Sequence, residues 1–122
     1  LNKTVLDKAN LRGAVLDGAE LIGASLGEAQ LQNAKLGSTN LSKAYLGKAN
    51  LSEAFMIWAN LKKARLNEAY MEGVYLSTAD LRGADLTSAA IADYQLKQAH
   101  SLAGATMPDG MKYDPEIHKL EN

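Results

Sequence analysis

From Leu1 to Leu96, every fifth residue is a large aliphatic or a methionine. The series holds without a slip, and only Met56, Met71 and Ile91 depart from leucine. Two residues before each centre runs a second series, mostly alanine, from Ala9 to Ala89. Its exceptions are Thr4, Thr39, Val74 and Tyr94, and neither series contains a charge. A period of five fits no straight element. On an α-helix it scatters the leucines around the axis, and on a flat strand an odd period flips each one to the opposite face. The chain must therefore bend once per quintet, so that each large and each small residue keeps pointing inward. That is a solenoid wound around its own thin core, where one large side chain per repeat fits only beside a small one. The glycines within the repeats fall one or two residues after a centre, as at Gly13, Gly27 and Gly83, where a corner belongs.

Segments such as Ala9-Asn10-Leu11-Arg12-Gly13, Ala59-Asn60-Leu61-Lys62-Lys63 and Ala79-Asp80-Leu81-Arg82-Gly83 resemble the A(D/N)LxX unit of the pentapeptide-repeat proteins. The resemblance implies a right-handed quadrilateral β-helix with four quintets per coil, hence about five coils stacked about 4.8 Å apart. The preference for Leu over Phe at the centres resembles leucine-rich members, many of them cyanobacterial. Some members resemble B-form DNA in shape and charge and bind DNA gyrase. Residues 1–96 carry 10 basic and 10 acidic side chains, which disfavours that role, because mimicry of DNA needs a negative field.

The step of five is lost after Leu96 by one inserted residue before Leu102, and Met107 closes one more repeat. The expected organisation is a repeat rod over 1–110, regular to 96 and slipped over 97–110, followed by a capping tail over 111–122. Tyr94, in a position otherwise held by alanine, is expected to plug the end of the core. Asp114-Pro115 reads as a helix start, with Ile117 and Leu120 on one side of a short helix lying over the last coil. No comparable capping signal marks the Leu1 end, so a preceding segment or a partner is expected there.

If residues 20 apart are vertical neighbours, the outward positions sort into columns. Lys3, Lys43, Lys62, Lys63 and Arg82 form a mildly basic stripe, read as ordinary solvation. Lys8, Glu28, Lys48 and Glu68 alternate in sign and are expected to form a charge ladder. The candidate site is the remaining face. Within Ala54-Phe55-Met56-Ile57-Trp58 the inward residues are Ala54 and Met56, which leaves Phe55, Ile57 and Trp58 outside. Tyr75 is expected to stack over Phe55, with Tyr70 on the adjoining face. This group of Phe55, Ile57, Trp58, Tyr70 and Tyr75 is the expected protein-binding patch, since exposed aromatic clusters mark interaction surfaces.

Chemistry is thinly represented. The histidines are His100 and His118, and the chain has no cysteine. His118 with Asp109 or Asp114 is too sparse for a metal site, and no phosphate loop, nucleophile elbow or zinc-protease motif occurs. The outer serines have no histidine in register to act as base. The expectation is a non-enzymatic protein without cofactor or metal that binds an unidentified protein. Its net charge of -1 argues against nucleic acid, and no apolar run is long enough to insert in a membrane. It is expected to be soluble, leaning cytoplasmic, and monomeric or weakly dimeric end to end.

Overall fold

The computed structural model describes residues 1–120. Its regular part is built from a hydrogen-bonded corner repeated every five residues. In each quintet the backbone N–H three residues after the centre donates to the centre's own carbonyl, as from Ala9 to Leu6 and from Ala49 to Leu46, both 3.0 Å. The residue before it is left-handed, as type II turns require of their third residue. Thirteen non-glycine residues take this conformation, among them Lys43 (φ 60), Trp58 (φ 64) and Thr78 (φ 60). So the corner is imposed by the stack rather than by glycine. Gly27 and Gly47, one position earlier, have another use. A Cβ at either would strike the Tyr45 ring, which lies across this corner beneath Arg65.

The stack itself is a ladder of parallel bridges between residues 20 apart, arranged in four columns. Val5, Ser25, Tyr45, Arg65 and Asp85 form one column; Val15, Lys35, Phe55 and Tyr75 form another. Each centre donates its N–H upward, as Leu46 does to the Arg65 carbonyl at 2.7 Å. Each residue before a centre donates downward, as Tyr45 does to Ala24 at 2.9 Å. The Asn or Asp before a centre adds a second device. Its Oδ1 accepts the N–H two residues on, Asn50 from Ser52 and Asn60 from Lys62, both at 3.0 Å, and so braces the corner.

The leucines from Leu21 to Leu86 are buried, and Ala24 to Ala84 are buried beside them. Thr39 substitutes for alanine without cost in hydrogen bonding, because its Oγ1 donates to the Leu16 carbonyl at 3.0 Å. At the first coil Leu6, Leu11 and Leu16 are only half-buried and Leu1 is exposed, since nothing in the described chain lies beneath them.

The register slip is visible as a change in the bridges. Asp80 pairs with Ser101 and Asp85 with Thr106, each 21 residues on. The extra residue is taken up by a single helical turn, α1 (Asp93–Leu96). This corrects the expectation for Tyr94, which is 52% exposed. The turn rotates Tyr94 out and Gln95 in. Gln95 is 1% exposed, and its Nε2 donates to the carbonyls of Met71 and Val74 at 2.8 and 3.2 Å. Its Oε1 accepts the Ala92 N–H at 2.8 Å. A buried amide thus satisfies backbone groups that the broken ladder leaves over. Gln95→Ala is expected to lower stability by about 3 kcal/mol, read as a lower urea midpoint, because it strands buried polar groups.

The tail also departs from expectation. Asp114-Pro115 starts only one turn, closed by the N–H groups of Ile117 and His118 on the Asp114 carbonyl at 3.0 and 2.7 Å. With a single turn, the side chains three apart do not share a buried side: Ile117 is 55% exposed and only Leu120 packs on the core. Of the expected tail, 111–120 falls within the described residues. The alternating column of Lys8, Glu28, Lys48 and Glu68 is not ion-paired either. Among the described residues the ion pairs are Arg82–Asp80 and His118–Asp109. Side chains on left-handed corner residues point into solvent, where each charge is hydrated separately.

Candidate functional site

The bridge between Phe55 and Tyr75 sets two aromatic residues one rung apart on the same column. Their rings stack at 4.9 Å between centroids and 3° between planes. Both are about half exposed. The chain then turns the corner through Ile57, whose carbonyl accepts the Ser38 N–H, and Trp58, whose N–H donates to Ser77 at 3.0 Å. Trp58 is 66% exposed. Each residue thus gives one backbone group to the ladder, and both side chains are exposed.

Tyr70 belongs to a different column, between Asn50 and Ala90. It is exposed, but the ring contacts among the described residues do not join it to the other aromatics. Instead, a shallow groove of about 270 Å³ runs from Trp58 past Asn60, Lys62 and Thr78 to Asp80, Arg82 and His100. Here the corner brace becomes an ion pair. Asp80 Oδ1 accepts the Arg82 backbone N–H at 3.1 Å, and the guanidinium returns to the same carboxylate through Nε at 2.9 Å and Nη2 at 2.6 Å. The Arg82 side chain beside it holds the Asp80 carboxyl below the usual carboxylate range. The pair therefore adds stability above that range and loses it as pH falls through the lowered value.

The patch is thus a stacked pair on one side, an apolar corner, and a fixed cation on the next side. Asp80, Arg82 and His100 escaped sequence reasoning as neighbours of Trp58. Asp80 and Arg82 look like another corner brace, and His100 reaches this groove only after the slip. Nothing in the groove joins a nucleophile to a base, and no group of three or more metal-ligating side chains occurs among the described residues. His118 does meet both residues considered with it in the sequence, Asp109 through the carboxylate and Asp114 through the backbone N–H. Its Nε2 lies 2.9 Å from Asp109 Oδ2, and its Nδ1 accepts the Asp114 N–H at 3.1 Å. No helix among the described residues is long and apolar enough to cross a membrane.

The family model for pentapeptide repeats matches the chain in eight copies over residues 1–29, 29–67, 39–77 and 59–93. Among solved structures the chain is similar to HetL, a pentapeptide repeat protein involved in heterocyst differentiation regulation, from the cyanobacterium Nostoc sp. strain PCC 7120. The identity is 27%, over 93% of this chain and 76% of that one, with a TM-score of 0.42. Rfr23 from the cyanobacterium Cyanothece 51142 is 34% identical over 78% of this chain, with a TM-score of 0.41. The match spans 64% of Rfr23, less than two thirds of its length. A pentapeptide repeat protein of Nostoc PCC 7120, alr5209, is 32% identical over 68% of this chain and 70% of that one, with a TM-score of 0.43. No curated protein sequence matches the chain.

Proposed function

Because the chain belongs to the pentapeptide-repeat family, we propose that it is a non-catalytic rod that binds a protein partner through Phe55, Ile57, Trp58 and Tyr75, with Tyr70 at the margin. In this reading residues 1–110 wind a right-handed, four-sided β-helix of about five coils, and 111–122 form its tail. The rod is the rigid support, and the aromatic corner is the contact.

The observation that carries the reading is the placement of Trp58. A tryptophan in the left-handed region is sterically costly, and this one is exposed rather than buried in exchange. Elsewhere in its column the same corner is made with Gly18 and Ser38, so the turn does not need a large ring. Aromatic anchors beside a fixed arginine are the usual composition of binding hot spots, and Arg82 lies across the groove.

Affinity capture from the source cell with the wild-type rod and with Trp58→Ala tests the reading. Loss of a captured protein by the variant, with an unchanged β-rich circular dichroism spectrum, is the expected result. Equal capture by both would remove Trp58 from the interface.

A further inference from the structure

Three successive corners of the rod carry an acid, an indole and a base. They are Glu53, Trp58 and Lys63, all left-handed, at φ 59, 64 and 58. The face between the first two holds Phe55, and the face between the last two holds Asn60. Neighbouring rungs keep the same order of charge. Glu72 stands on the corner of Glu53, and Lys43, Lys62 and Arg82 stand on the corner of Lys63. Two of these charges are placed by glycines in the rung above. A Cβ on Gly73 would meet Glu53 Cγ at 3.1 Å, and one on Gly83 would meet Lys63 Cγ at 3.2 Å. Both side chains therefore run up the rod toward the rung that holds Tyr75. Arg82 is paired with Asp80, but among the described residues Glu53, Glu72, Lys43, Lys62 and Lys63 are in no ion pair. The apolar corner is thus flanked by unpaired negative charge on one side and unpaired positive charge on the other.

Such a surface complements itself in one orientation. If two rods meet at their Trp58 corners and run antiparallel, acid faces acid and base faces base. If they run parallel, about a twofold axis along the rods, each acidic corner faces the basic corner of the other copy. This happens on both sides at once. Every rung is then level with its own copy, so Ile57 and Trp58 meet themselves at the centre. Lys35, one rung below Phe55, lies on the side where the second copy presents Glu20.

We propose that the partner of the aromatic corner is a second copy of this chain, docked side by side and parallel. The inference rests on the reading of Phe55, Ile57, Trp58 and Tyr75 as a protein-binding patch, and it names the occupant. Tyr70, on another column, lies outside the contact. The contact is isologous, so it closes at two copies instead of propagating. Four apolar side chains are few against the roughly 20–30 residues a side of a standard interface, so the dimer is weak and forms toward about 0.5 mM. The charges set its orientation more than its strength.

Charge exchange tests this on the whole chain. Glu53→Lys/Glu72→Lys makes both flanks basic, and Lys43→Glu/Lys62→Glu/Lys63→Glu makes both acidic. Lysine and glutamate already occupy left-handed corners at Lys48 and Glu28, so the exchanges suit the backbone, and circular dichroism checks each variant. In sedimentation velocity the wild type is expected to pass from monomer to dimer as concentration rises, and less so at high salt. Each exchanged variant alone, and Trp58→Gly, is expected to stay monomeric. An equimolar mixture of the two exchanged variants restores opposite charges on both sides, and is expected to dimerise at least as well as the wild type. Because the chain has no cysteine, Ser38→Cys and Thr78→Cys on the same corner report direction with a short bismaleimide. Parallel rods link each variant to itself; antiparallel rods link residue 38 only to residue 78 when the two are mixed. Linkage of the antiparallel kind, dimerisation by either exchanged variant alone, or a mixture that stays monomeric would each overturn the proposal. A wild type that stays monomeric to about 1 mM, while capture of another protein still depends on Trp58, would overturn the second copy as occupant and leave the patch standing.

Discussion

Trp58→Gly is expected to leave the melting temperature within a few degrees of wild type while weakening partner binding by roughly 30-fold or more. Two opposing effects account for the first half. Glycine relieves a left-handed backbone that costs other residues about 1–2 kcal/mol. Against this, the variant loses the packing of the covered third of the indole, a term of similar size. Gly18, at the equivalent corner of the same column, already adopts φ 72, so the substitution reproduces a turn the rod uses. The second half follows from geometry. The indole is the largest exposed apolar side chain at the patch and stands between the stacked rings and Arg82. Glycine removes that surface and leaves the ladder bond from residue 58 to Ser77 in place. Thermal melting and binding are measured on the same preparation. A fall of about 10 °C would instead make Trp58 a structural cover for the corner.

The other large effect concerns the interior. Leu46→Ala is expected to cost about 2–5 kcal/mol, and Ala44→Leu at least about 1–3 kcal/mol. Both positions are fully buried and both belong to the same quintet. The pair is informative because the two changes err in opposite directions. Removing the leucine opens a void that coils fixed by hydrogen bonds at every corner cannot close. Adding one at Ala44 forces a second large side chain into a cross-section with room for one. Exchanging the two residues together is expected not to rescue stability, because the corner fixes which of them points to the centre. Urea denaturation of the three variants measures this. Midpoints near wild type for Ala44→Leu would mean that the interior is wider than the large-small alternation implies.

The regular rod was legible because its signal is redundant. The quintets repeat the same two constraints, a large inward residue and a small one, and many add an Asn, Asp or other polar residue before the centre. The Phe55–Tyr75 stack followed from their separation of 20 once the coil length was assumed from the family resemblance. What escaped was local and unrepeated. A single inserted residue does not state where it is absorbed, and both Tyr94 and Gln95 are reasonable occupants of a core end. The answer depended on stranded carbonyls at Met71 and Val74, which an amide can satisfy and a phenol ring turned outward cannot. The tail was misread for a similar reason. Asp114-Pro115 is a good helix start, but the next turn is interrupted as the chain returns His118 to Asp109. The left-handed corners at lysine, glutamate and tryptophan were unreadable from propensity, since stacking overrides residue preference there.

The winding of the chain can be read directly through its hydrogen bonds. Scalar couplings across them, measured by NMR on uniformly labelled protein, connect a donor nitrogen to the carbonyl carbon that accepts. For Leu46 the expected partner is Arg65, and for Leu51 it is Tyr70. Couplings from these amides to carbonyls four residues earlier, or to residues at any separation other than this one, would contradict the coil and every surface assigned from it.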